Sequence, residues 1–97
     1  MSGGHFDYQQ HHIQDIIRIV ERIINNNEND ELDEWGDVIG WHFSPEIMAE
    51  IEKGLDYLKK AYIYAQRIDW LMSGDDGPES FLRRLKEELD QHREETK

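Results

Sequence analysis

Four residues near the start of the chain have side chains that can bind metal ions: His5, Asp7, His11 and His12. Neighbouring residues of a helix point about 100° apart, so His11 and His12 would not face one ion together. The HExxH pattern, which places two histidines on one helix face beside a general base, does not occur in the sequence. The sequence therefore predicts no metal site and no cofactor.

Acid pairs are the second group that could do chemistry. Asp30-Glu31-x-x-Glu34 resembles the helical carboxylate motif of all-α nucleotide pyrophosphohydrolases, in which acids one helical turn apart hold Mg²⁺. The second Glu-x-x-Asp of such an enzyme is missing, because Glu52 and Asp56 are four positions apart. The sequence also contains no Walker phosphate loop and no arguable Ser-His-Asp or Cys-His arrangement. We therefore predict a non-enzymatic protein without catalytic residues, with a pyrophosphohydrolase-like enzyme as an alternative.

The net charge of −11 is concentrated in one segment. Residues 28–52 contain nine acids and neither lysine nor arginine. This acidity argues against direct nucleic-acid binding. Acids spaced along a surface can imitate a phosphate backbone, and neighbouring aromatic residues supply desolvated anchors. The first hypothesis is an acidic surface that binds a basic surface of another protein, and the alternative is a loop that only keeps the protein soluble. The predicted partner-binding residues are Glu28, Asp30, Glu31, Asp33, Glu34, Trp35, Asp37 and Trp41.

Two segments that contain glycine suggest a nucleotide site instead. Backbone amides at residues 2–4 and at the start of the third helix could hold an anion, because glycine permits close approach and a helix N-terminus has unpaired N–H groups. Helix capping also explains the residues at the start of the third helix without any ligand. In this alternative, a homo-oligomer sequesters a nucleotide-like signal where residues 2–8 meet residues 70–77 of a neighbouring subunit. The predicted ligand-binding residues are Gly3, Gly4, His5, Phe6, Tyr8, Arg67, Trp70, Ser73, Gly74, Asp75 and Asp76.

Apolar residues recur at helical spacing in three segments, which predicts an all-α fold. We expect one domain with helices at about residues 8–25, 44–73 and 78–94, arranged antiparallel around the long second helix, after a flexible arm at residues 1–6. Asp7 and Gln10 have the spacing of a capping box for the first helix. Residues 28–43 are expected to form a partly irregular connection whose aromatic side chains are pinned against the helices, and residues 95–97 to fray.

The second helix is the most regular element of the sequence. Ser44 and Pro45 are typical of a helix start, and Gly74 is typical of a helix stop. Its apolar residues follow one another at alternating steps of four and three, which places them along one seam. The small residues Gly54 and Ala61 would let a neighbouring backbone come close. The seam consists of Ile47, Ile51, Gly54, Leu58, Ala61, Ala65, Ile68 and Met72.

Further apolar residues lie on other sides of the second helix. A helix that is apolar on more than one side is covered on more than one side. The first and third helices are not expected to suffice for this, so we predict a homo-oligomer, most simply a two-fold dimer. The predicted interface residues are Tyr62, Ile63, Tyr64, Trp70 and Leu71.

Composition also bears on the cellular setting. The chain has no cysteine, so disulfides and thiolate metal sites are excluded and a reducing cytoplasm is expected. Its apolar runs are only a few residues long, which predicts no membrane span, and its first residues lack the pattern of a signal peptide.

Both ends of the sequence carry motifs that resemble known proteins. The segments SGGHFDY at residues 2–8, QRIDWL at 66–71, SGDDG at 73–77 and ESF at 79–81 resemble a family of small uncharacterised proteins from phages and prophages. Residues 28–43 lie outside the resemblance. It implies a setting in the host cytoplasm, where short acidic phage proteins often disable a host factor. Anti-CRISPR proteins, DNA mimics and sponges for nucleotide immune signals are examples.

Overall fold

The structure is a computed structural model that describes residues 6–95. Within that range the chain forms three helices: α1 (Gln10–Asn25), α2 (Pro45–Met72) and α3 (Pro78–Glu95). The predicted all-α class with a long second helix is confirmed, and the helix bounds differ from the predicted ones by two residues or fewer. The predictions for residues 1–5, including Gly3, Gly4 and His5, lie outside the described residues, as do those for residues 96 and 97.

The ends of α2 follow the sequence signals. The Ser44 side chain accepts a hydrogen bond from the Ile47 N–H at 3.3 Å, and Pro45 occupies the first turn. Gly74 has a φ of +84°, and the N–H groups of Gly74 and Asp75 donate to the carbonyls of Leu71 and Trp70. This is a Schellman ending, which requires the left-handed conformation that glycine adopts without strain.

The predicted cap of α1 is wrong. The residue before α1 is Gln9, and no side chain caps the helix. Asp7 and Tyr8 both have positive φ angles, so the chain turns over residues 6–9 before the helix begins. Gln10, expected to complete a capping box, is buried, and its amide donates to Gln66 and Asp69 of α2. A long-range contact has replaced the local one.

The helix α2 lies in the middle, with α1 and α3 each packed against it. Within residues 6–95, α1 and α3 make no contact with each other. Along α1, Gln10 contacts Gln66 whereas Glu21 pairs with Lys59, so the two helices run in opposite directions. α2 and α3 also run in opposite directions. Arg67 pairs with Glu88, whereas Asp56, which comes earlier in α2, pairs with His92, which comes later in α3.

The buried residues of the fold are mainly polar. Ile17 is the only buried hydrophobic residue in the described part of the chain. The other buried residues are polar or charged, and several of them join the helices: Gln10, Asn27, Arg67, Asp69, Asp76 and His92. The molecule measures 52 × 31 × 15 Å. Within the described residues, α1 and α3 pack on α2 without contacting each other. The fold is therefore close to a single layer of helices.

None of the helices in residues 6–95 combines the length and the apolar character that crossing a bilayer requires.

Candidate functional site

Residues 28–43, here called the hairpin, connect α1 to α2 and form an ordered loop. A single antiparallel bridge joins Leu32 to Val38, and the backbone N–H of Ile39 donates to the carbonyl of Glu31 at 2.8 Å. At the tip, the Asp33 carboxylate accepts the N–H groups of Trp35 at 2.8 Å and Asp37 at 3.0 Å. The connection is partly irregular, as predicted, because this bridge is the only strand pairing in residues 28–43 and polar contacts hold the rest of the loop.

The base of the hairpin is closed by Asn27, which lies two residues after the end of α1 and directly before the hairpin. Its side-chain oxygen accepts the Phe43 N–H at 2.9 Å, its amide donates to the Phe43 carbonyl at 3.3 Å, and its backbone carbonyl accepts the His42 N–H at 2.9 Å. Asn27 is only 4% exposed. The asparagine run at residues 25–27 indicated only a helix end, so sequence reasoning missed this role. A single buried amide that spans the loop has no local sequence signature.

Gly40 sets how closely the two sides of the hairpin base approach. A Cβ atom at this position would lie 2.6 Å from each of three backbone carbonyl oxygens, those of Asn26, Asn27 and Asn29. Its own N–H donates to the Asn29 carbonyl at 2.9 Å. Only glycine fits this approach.

The apolar side chains of the hairpin point outward. Trp35 is 78% exposed and Trp41 is 61% exposed, and the Trp41 ring stacks on Phe43 with centroids 5.7 Å apart. Leu32 and Val38 are exposed as well. The prediction that the aromatic side chains are pinned against the helices is wrong for both tryptophans. Because asparagine, aspartate and backbone groups close the loop, its apolar side chains are not needed to hold it.

The acids of the hairpin have different positions. Glu28 and Asp30 are largely exposed and lie 3.7 and 3.2 Å from the two ring nitrogens of His42. Asp33, predicted as a partner-binding residue, is partly buried because it organises the tip. The exposed acids are Glu28, Asp30, Glu31, Glu34 and Asp37. They surround the exposed aromatic residues on one short loop.

The same geometry bears on the pyrophosphohydrolase alternative. Asp30, Glu31 and Glu34 lie on the hairpin rather than on a helix. The one-turn spacing that a helical carboxylate motif needs is therefore not formed. Within residues 6–95, no three histidine, aspartate or glutamate side chains are grouped so that they could hold a metal ion. His11 instead accepts or donates a hydrogen bond with the Tyr62 hydroxyl at 3.3 Å and stacks on Tyr8.

A second candidate site lies where the turn before α1 meets α2. The Phe6 N–H donates to the Asp69 carboxylate at 2.7 Å, and Gln10 also contacts that carboxylate. Beside them is an open groove of about 430 Å³, lined by residues of the turn, of α1 and by Ala65. The side-chain oxygen of Gln10 is buried without a hydrogen-bond partner among the described residues. The contact between Phe6 and Asp69 is made within one chain, whereas the sequence-based hypothesis placed this junction between subunits.

Other predicted ligand-binding residues form the junction between α2 and α3. Arg67 is 5% exposed, and its guanidinium lies 3.6 Å from Asp76 and 2.9 Å from Glu88. The Arg67 Nε–H does not point at the Glu88 oxygen, so this contact is an ion pair rather than a hydrogen bond. The guanidinium also lies 4.0 Å from the centre of the Trp70 ring. Arg67 thus joins α2 to Asp76 in the turn and to Glu88 on α3, while Gly74 and Asp75 complete the turn between the helices.

The residues predicted as an oligomer interface are not equally placed. Tyr62 points toward α1, where it contacts His11. Tyr64 is 44% exposed, and Ile63, Trp70 and Leu71 are partly buried. The interface through these residues stays a prediction.

The chain matches no protein-family model, no curated protein and no solved structure. Function must therefore be argued from the geometry of the hairpin and of the groove.

Proposed function

We propose that this chain is a non-enzymatic interaction protein that binds another protein through the hairpin. Trp35 and Trp41 are the anchors, and the surrounding carboxylates face a basic surface of the partner. The phage-type setting that the sequence resemblance implies makes this partner a host factor that the protein inhibits. A nucleic-acid-binding protein has the required chemistry, because its surface already accommodates phosphates.

One observation carries this proposal: the hairpin is closed by polar groups and keeps its aromatic residues outside. Buried Asn27 and the turn-forming Asp33 fix the loop, while Trp35 and Trp41 are mostly exposed. Tryptophan is among the residues that contribute most to binding energy at protein interfaces. An ordered loop also loses little conformational entropy when it binds. Such a loop is suited to be the rigid half of an interface.

The exposed acids of the hairpin should affect how fast a partner binds and which partner is selected. Charged groups at the rim of an interface increase the rate of association and select the partner more than they raise affinity. Glu31, Glu34 and Asp37 are exposed and have no basic neighbour within the hairpin sequence other than His42. We therefore expect binding that weakens with salt, because exposed charges are screened over about 10 Å at 0.1 M ionic strength.

Capture from a host lysate with the immobilised full chain tests the proposal. We expect Trp35→Ala with Trp41→Ala to abolish capture of the bound protein, and Glu31→Gln, Glu34→Gln with Asp37→Asn to weaken it and reduce its salt dependence. Asp33 is left intact because it organises the tip. Tyr57→Ala is the matched control, since Tyr57 is an aromatic residue that is 60% exposed on α2.

Two further measurements make this experiment decisive. The captured protein should lose its own nucleic-acid binding in the complex, as measured by fluorescence anisotropy of labelled DNA. The free energy of unfolding of the tryptophan double variant should be within about 0.5 kcal/mol of that of the wild type, because the side chains that it lacks are at the surface. Capture that survives both sets of substitutions would contradict the proposed function.

The groove beside Phe6 supports a second candidate function, the sequestering of a nucleotide-like molecule. The observation that favours it is the open groove of about 430 Å³, which Phe6, Asp7 and Gln10 line. Asp7 lines the groove and Asp69 lies behind it, so a ligand would have to offer donors such as the amino edge of a base. A thermal-shift screen with nucleotides and cyclic nucleotides tests this candidate. A ligand at 100 times its dissociation constant stabilises the fold by ~2.7 kcal/mol. Absence of any shift would leave only the hairpin function.

A further inference from the structure

The helices of this chain lack a second layer. Domains bury their apolar surfaces between two packed layers of secondary structure. Here the thinnest dimension is 15 Å, and Ile17 is the only buried hydrophobic residue in residues 6–95. The radius of gyration is 17.3 Å, against about 12.5 Å for a compact domain of this length. Much of the apolar surface of the helices is thus without a cover from its own chain.

The seam of α2 faces away from α3 and lies to the side of α1, and five of its eight residues are partly buried. The residues of α2 that contact α1 include Tyr62, Gln66 and Asp69, and those that contact α3 include Asp56 and Arg67. Successive residues of a helix are about 100° apart. The centre of the seam therefore lies nearly opposite the residues of α2 that contact α3, and about 90° from those that contact α1. The seam residues Ile47 and Met72 are 47% and 57% exposed, Ala61 is exposed, and a Cβ on Gly54 would meet nothing within 4 Å.

The helix α1 extends this apolar surface. Ile13 and Ala65 line the same groove between α1 and α2, so they open on the same side of the layer. Ile16, one turn after Ile13, is 47% exposed. The seam together with Ile13 and Ile16 forms one apolar surface, here called the open face.

The alternating steps of four and three make the seam symmetric about its centre, as they do in any helix with this spacing. Its eight residues form four pairs, each centred on the peptide bond between Lys59 and Lys60. At the centre, a large residue pairs with a small one, which allows two helices to approach closely and interdigitate. The pairs are Leu58 with Ala61, Gly54 with Ala65, Ile51 with Ile68, and Ile47 with Met72.

The unequal helix lengths point to the same arrangement. α2 has 28 residues and α1 has 16, and the end of α1 at Asn25 lies beside Leu55, where both line one pocket. The first turns of α2, residues 45–51, therefore extend past the end of α1. In an antiparallel pair of α2 helices, these turns lie beside residues 68–72 of the other copy. One antiparallel α2 helix of a second copy would therefore cover both the seam and this extension.

We propose that two copies of the chain associate through their open faces about a two-fold axis, with α2 packed antiparallel against α2 of the partner. The open face replaces the core that the single layer lacks, so its cover has to be present whenever the chain is folded. A second copy meets this requirement, and the reversed seam fits it. This interface is self-complementary, as a two-fold contact must be. It lies on a different side of α2 from Tyr62 and is independent of the hairpin.

Sedimentation equilibrium of the full chain tests the association. We expect twice the chain mass of 11.6 kDa, and a melting temperature that rises with protein concentration. Ala61→Arg places a charge at the centre of the seam and should shift the mass to that of one chain. Leu82→Arg is the matched control, because Leu82 is 66% exposed on α3, and it should keep the double mass. A wild-type chain that keeps the single mass at millimolar concentration with full helix content overturns the proposal.

Cross-linking tests the geometry even if Ala61→Arg unfolds. The chain has no cysteine, so single cysteines can be introduced cleanly. In the proposed pair, Gly54 lies beside Ala65 of the other copy, whereas two copies of residue 54 are roughly 16 Å apart along the helix axis. Gly54→Cys mixed with Ala65→Cys should form a disulfide-linked dimer on mild oxidation, and neither variant should do so alone. Linking of each variant with itself would mean a parallel pair, and no linking in the mixture would remove the seam as the interface.

Discussion

The hairpin and the helix layer both leave apolar side chains exposed, but for different reasons. In the hairpin, Asn27 and Asp33 fix the loop through contacts between residues at most 16 positions apart, so Trp35 and Trp41 are not needed for order. In the helix layer, polar contacts such as that of Phe6 with Asp69 join residues 63 positions apart and fix how the helices meet. They do not replace a core. Exposure in the hairpin therefore leaves the fold intact, whereas the open face requires a cover.

We therefore expect the largest losses of stability from substitutions that break the long-range contacts of the helix layer. Arg67→Met removes the buried charge that faces Asp76 and Glu88, and the Asp76 carboxylate, which is 4% exposed, is then left without a charge partner. Breaking a buried ion pair in this way costs about 3–5 kcal/mol. Urea unfolding followed by circular dichroism measures the loss. Arg18→Met is the control, since the Arg18 pair with Asp15 is 64% and 65% exposed and should contribute less than about 1 kcal/mol. Equal effects of the two substitutions would contradict the structural role of Arg67.

A smaller, local effect is expected in the hairpin. Gly40→Ala forces a Cβ atom against three carbonyl oxygens at 2.6 Å, and such overpacking costs about 1–3 kcal/mol. Amide hydrogen exchange at His42 and Phe43 should accelerate, while exchange in α1 and α2 changes little. Gly77→Ala is the matched control, because a Cβ at Gly77 meets nothing within 4 Å. Faster exchange throughout the helices would mean that the hairpin does not open independently of the helix layer.

The smallest expected effect depends on pH. The Asp56 carboxylate lies 3.1 Å from Lys60 and 2.7 Å from His92, and the hydrogen bond with Lys60, followed by that with His92, lowers the pKa of Asp56 below its ordinary value of 3.8. A carboxylate whose folded pKa is lowered stabilises the fold above its unfolded pKa, and this contribution is lost as the pH falls through the folded pKa. Asp56→Asn should therefore cost about 0.2–1 kcal/mol at neutral pH and nothing in strong acid.

Unfolding by urea at a series of pH values measures this difference. Asp90→Asn is the control, since Asp90 is 52% exposed and 3.9 Å from Arg93. It should change stability by less than about 0.5 kcal/mol. A penalty for Asp56→Asn that grows as the pH falls below about 3.8, the ordinary pKa of the group, would contradict the expected sign.

The sequence by itself determined the helices and the ends of α2. The 3.6-residue period, the Ser44 cap and Gly74 are local signals, and each acts within about one turn of the backbone. The seam of α2 was also visible, because it is a property of spacing along one helix. The acidic segment at residues 28–37 was apparent from composition alone.

Only the tertiary structure decided which side chains lie inside. Gln10 was expected to cap α1, but it pairs with Asp69, a residue 59 positions away. Asn27 indicated only a helix end, yet it closes the hairpin and allows Trp35 and Trp41 to face outward. Neither contact is marked by a local sequence pattern, because each depends on which distant part of the chain comes within hydrogen-bonding distance. For the same reason, the sequence showed an apolar seam on α2, and only the positions of α1 and α3 revealed that Ile47, Ala61 and Met72 of this seam stay exposed within their own chain.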